Sequence, residues 1–103
     1  MDQFTLYCML FRALDAVWDR TRERELGMFL SGANPYLFED EGSAVPSVYR
    51  QFCTTVAAGV PRENSYREAG RYIASLNNAA VSDAFREIGE AKWNEYLAEC
   101  PDA

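Results

Sequence analysis

The sequence predicts an all-α protein: a compact bundle of four short helices, or five if one brief segment counts, around a central apolar N-terminal helix. Three observations predict it. Apolar residues recur at spacings of three and four along most of the chain, which is the pattern of amphipathic helices. No useful stretch alternates apolar and polar residues as a half-buried strand does. Asn34-Pro35, Gly59-Val60-Pro61 and Asn77-Asn78 cut the chain into segments of helical length, because such residues favour turns. The 103 residues suit a single domain over 1–103, and no low-complexity linker divides them.

The first helix is expected over residues 3–20. When residues advance by about 100° each, Thr5, Arg12, Asp15 and Asp19 gather on one narrow polar arc. Leu6, Leu10, Leu14 and Val17 form an aliphatic flank, and Phe4, Tyr7, Phe11 and Trp18 form an aromatic one. An ordinary surface helix carries an apolar stripe a little over roughly 100° wide, and this one is about twice that. It must therefore be covered on at least two sides. The cover is either the other helices or, through Phe4, Tyr7, Phe11 and Trp18, a protein partner or second copy, since aromatics are enriched at such contacts.

Residues 19–25 read as a solvated helical extension or a turn. Arg20/Glu23 and Arg22/Glu25 become neighbours if the helix continues. Leu26 to Ser31 reads as a short apolar helical piece stopped by Gly32. Residues 32–44 are the least regular. There Tyr36, Leu37 and Phe38 either plug the end of the bundle or hook another chain. Burying each is worth roughly 1.5–3 kcal/mol, so all three are not expected to stay in water.

The next helix starts at Pro46, a residue suited to a first turn, and is expected to run to about Ala58. Val45, Val48, Tyr49, Phe52, Cys53 and Val56 share one of its faces. Ser65 and Glu68 form an S-x-x-E capping box that opens a helix ending at Asn77-Asn78. Tyr66, Ala69, Gly70, Ile73 and Leu76 are its buried stripe. The last helix starts near Ser82, or earlier with Asn78 as cap, and runs to about Glu99. Its stripe of Val81, Phe85, Ile88, Gly89, Trp93, Tyr96 and Leu97 drifts around the helix. Gly70 and Gly89 cost about 1 kcal/mol each relative to Ala inside a helix, and are expected where helices approach closely.

Composition excludes several chemistries. Histidine is absent, which removes the commonest general base and any Ser-His-Asp or Cys-His arrangement. Cys8, Cys53 and Cys100 form no metal-ligand spacing and read as free thiols of a reducing compartment. Asp83, Glu87 and Glu90 share one face, read as the solvent side. The acidic run at 39–42 lacks the calcium-loop spacing. No catalytic residue, metal site or cofactor is expected. Net charge is −6, which disfavours nucleic acid and anionic membranes alike. The start is not signal-like, and the apolar run is broken by Arg12 and Asp15 far short of a membrane span. A cytoplasmic location is expected.

Three functional readings follow. The first is a non-enzymatic, self-associating protein-interaction module, with a homodimer as its simplest form. The second is a small-anion or small-molecule domain at the start of the third long helix, using Arg62, Arg67 and Arg71 beside Tyr66 and Tyr72. Ordinary pairing of Glu63 with Arg67 and Glu68 with Arg71 competes with it. The third is an acidic inhibitor or immunity-type protein for a basic partner, which requires the scattered acidic residues to converge.

Overall fold

The computed structural model describes residues 1–35 and 44–100. Among them the chain forms five α-helices: α1 (Gln3–Thr21), α2 (Arg24–Ala33), α3 (Pro46–Thr55), α4 (Ser65–Ser75) and α5 (Ala79–Glu99). One 3-10 turn, Arg62–Asn64, precedes α4. No strand occurs among the described residues, and the isolated Asp2–Gly59 bridge is the exception to helical pairing. The brief segment after residue 23 thus counts as a helix, and the class is all-α as predicted. Tyr36, Leu37 and Phe38 lie outside the described residues.

The wide apolar surface of α1 explains its place. It packs against each of the other four helices, and Leu6, Tyr7, Met9, Leu10, Phe11, Ala13, Leu14 and Val17 are all buried. Asp2 starts it by accepting the Thr5 amide at 2.7 Å, and this bond holds the Asp2 carboxyl below its ordinary pKa. Helix α1 ends where Arg22 enters the left-handed region at φ 55°. The helix thus extends through Thr21, the turn is Arg22-Glu23 alone, and Arg22 pairs with Asp19 rather than Glu25. Its guanidinium also lies 4.4 Å from the Trp18 ring centre.

Two helix ends and one cap differ from the sequence pattern. Helix α2 passes through Gly32 to Ala33; the Tyr7 hydroxyl donates to the Ala33 carbonyl at 2.5 Å and ties that end to α1. Helix α3 stops at Thr55, three residues early, because Gln3 supplies an outside donor. Its amide donates to the carbonyls of Cys53 and Val56 at 3.1 and 2.7 Å, and Val60 then pairs with Met1 through the backbone. The S-x-x-E box does not form. Ser65 is buried; its hydroxyl donates to the Arg62 carbonyl at 2.7 Å and accepts the Trp93 indole N–H at 2.9 Å. Glu68 pairs with Arg71 instead.

Helix α5 is not continuous. Asn78 caps its start by accepting from Ala80 and Val81, but Gly89 breaks it at φ 69°, ψ 170°. That region is essentially open to glycine alone. A Cβ there would meet nothing within 4 Å, so Gly89 serves the backbone and not the close approach expected. The break re-aims the second half, and Trp93 is fully buried after it.

Two aromatic groups result. Phe4, Tyr49, Tyr7, Phe52 and Tyr72 are linked by ring contacts of 4.9–5.7 Å. Tyr66, Phe85 and Trp93 form the second group.

Candidate functional site

The expected aromatic contact surface of α1 is divided between interior and edge. Tyr7 and Phe11 are buried within the chain, while Phe4 is half-buried with its ring against Tyr49. Trp18 is also half-buried, lying so close to α2 that a Cβ on Gly27 would sit 2.5 Å from its Nε1. Phe11 and Trp18 line a shallow hollow of about 170 Å³ between α1 and α2.

The arginine group does not converge either. Arg62 donates to the Leu97 carbonyl, near the end of α5. Arg71 is held by both oxygens of Glu68 at 2.8 and 3.0 Å. Arg67 is exposed, and no Glu63–Arg67 pair forms among the described residues. Tyr72 is a core residue, 1% exposed. Its hydroxyl has no hydrogen-bond partner among the described residues, and burial pushes its pKa up to about 12.

A different surface has the shape of a site. Along the line where α1 meets α5, two hollows of about 420 and 480 Å³ adjoin, a size common for ligand-bearing clefts. They share Val17 and Glu87. The trough exists because both helices carry small side chains there. Ala16 and Ala79 are exposed, and Ala80 is partly so, at positions where long polar residues would otherwise close the groove.

The first hollow has an apolar floor of Val17, Leu26, Ala80 and Ala84, and a rim of Glu23, Glu25, Asp83 and Glu87. Two of these carboxylates are paired. Glu87 meets Arg20 at 2.5 Å, and Asp83 meets Arg86 at 3.1 Å. Glu23 caps α2 by accepting the Leu26 amide at 2.7 Å, and neither it nor Glu25 has an ion pair among the described residues. The second hollow is lined by Ala13, Ala16, Ile88 and Tyr96, with Arg20 and Lys92 beside Glu87.

The Arg20–Glu87 pair crosses the junction of the two hollows. Its side chains are 60% and 45% exposed, so it contributes at most about 1 kcal/mol and can open readily. The solvent-side reading of Asp83 and Glu87 holds, but they form part of a rim. Sequence reading missed Glu23, Glu25 and Arg20 as members of it. The only signal was three alanines on polar helix faces.

The described residues contain no group of three or more His, Cys, Asp or Glu placed to hold a metal ion, and no helix long and apolar enough to cross a membrane. No family model, curated protein or solved structure matches this chain.

Proposed function

We propose that this protein is a non-catalytic helical interaction module that docks a segment of another protein along the α1–α5 groove. The observation that carries this reading is the pair of adjoining hollows, apolar at the base and charged at the rim. This division matches protein contacts, which have an apolar centre and a polar edge. A second reading, self-association through the aromatic flank of α1, keeps the half-buried Phe4 and Trp18, while Tyr7 and Phe11 are covered by the chain itself. The small-anion reading keeps the exposed Arg67, while Arg62 and Arg71 are engaged locally.

A photo-crosslinking residue in place of Ala16 or Ala80 tests this in the cells that make the protein. Both positions are expected to capture the same protein partner, and the same residue in place of Glu63 is not. Equal capture from all three positions, or none from Ala16 and Ala80, would overturn the reading.

A further inference from the structure

This inference rests on the module reading and adds the chemistry of the occupant. We propose that the groove takes a cationic, amphipathic peptide segment of another protein, and that Arg20 is the groove's own competitor for it. Glu87 already accepts a guanidinium where the hollows meet, at 2.5 Å from Arg20. Both side chains are largely in solvent, so a partner's arginine can replace Arg20 without uncovering a buried charge. Glu25 and Asp83 extend the same rim. A partner's Lys or Arg would lay its aliphatic stem along Val17 and Ala84 with its charged head at these carboxylates.

The second hollow differs. Lys92 lies at its edge, and Ile88 and Tyr96 line it, so it suits an apolar side chain next to the cation. A second copy of this chain is a poor occupant. It carries the same net charge of −6 and would bring like charge to an acidic rim, whereas a basic partner is attracted from a distance.

The test uses a synthetic amphipathic peptide with Leu on one face and Arg on the other, and its counterpart with Gln in place of Arg. Binding to the full chain is followed by fluorescence anisotropy at one fixed salt concentration. The Arg peptide is expected to bind and the Gln peptide to bind at least about tenfold more weakly. Arg20→Gln should tighten Arg-peptide binding about two- to fivefold, and Glu87→Gln should weaken it. Arg67→Gln changes the net charge equally but lies away from the groove, and should leave binding unchanged. Equal tightening by Arg67→Gln, no tightening by Arg20→Gln, or no binding of the Arg peptide overturns the proposal. Crosslinking at Ala16 and Ala80 would still stand or fall separately.

Discussion

Ser65 and Trp93 form the interior polar contact on which the junction of α4 and α5 depends. The indole N–H is fully buried and donates to Ser65 Oγ at 2.9 Å. Ser65→Ala leaves that donor without a partner and should cost about 1–3 kcal/mol, read as a lower urea midpoint at unchanged slope. Tyr72 poses the opposite case. Its hydroxyl is already unsatisfied, so Tyr72→Phe should be neutral or stabilising in the same assay. The pH dependence follows from the raised pKa. The neutral phenol is favoured in the folded state, so this contribution is complete below pH 10, the ordinary value, and is lost as pH rises towards about 12. Tyr72→Phe should keep its stability over that range better than the parent. Sequence pattern placed Ser65 correctly at a helix start but gave it a local capping task. Its partner is 28 residues away, beyond any local window.

The helices themselves were legible because hydrophobic spacing is a local property. The wide apolar surface of α1 and the Asn77-Asn78 break appear where spacing and turn chemistry put them, and the last helix starts at the alternative Asn78 cap rather than near Ser82. Ends that depend on distant donors were not legible. Gln3 ends α3 from 50 residues away, and Tyr7 secures α2 beyond Gly32. Gly89 left a trace in the sequence. Ile88 and Trp93 are five apart, a gap that breaks the three-and-four spacing and makes the stripe drift. The sign of one substitution separates a break from a continuous helix. Gly89→Ala should destabilise by about 1–3 kcal/mol, because alanine resists that backbone conformation. In an unbroken helix the same change would stabilise by about 1 kcal/mol. Thermal or urea unfolding distinguishes the two.

At the scale of the molecule, composition indicated an acidic all-α domain with no histidine chemistry. It did not indicate where the acids converge. Glu23 and Glu25 follow the turn at Arg22, while Asp83 and Glu87 lie on α5. Only the packing of α1, α2 and α5 puts them around one hollow. Helices α2 and α3 cover Tyr7 on α1, and Phe11 is buried as well. An acidic domain that presents one apolar-floored groove has a localised site, whereas a uniformly acidic surface has only long-range attraction. Amide NMR shift mapping with the Leu/Arg peptide tests this difference most directly. The account predicts saturable shifts confined to the groove, at Val17, Thr21, Ala80, Ala84 and Glu87. Shifts spread evenly over the acidic surface, or centred on the exposed Met28 and Val45, would contradict it.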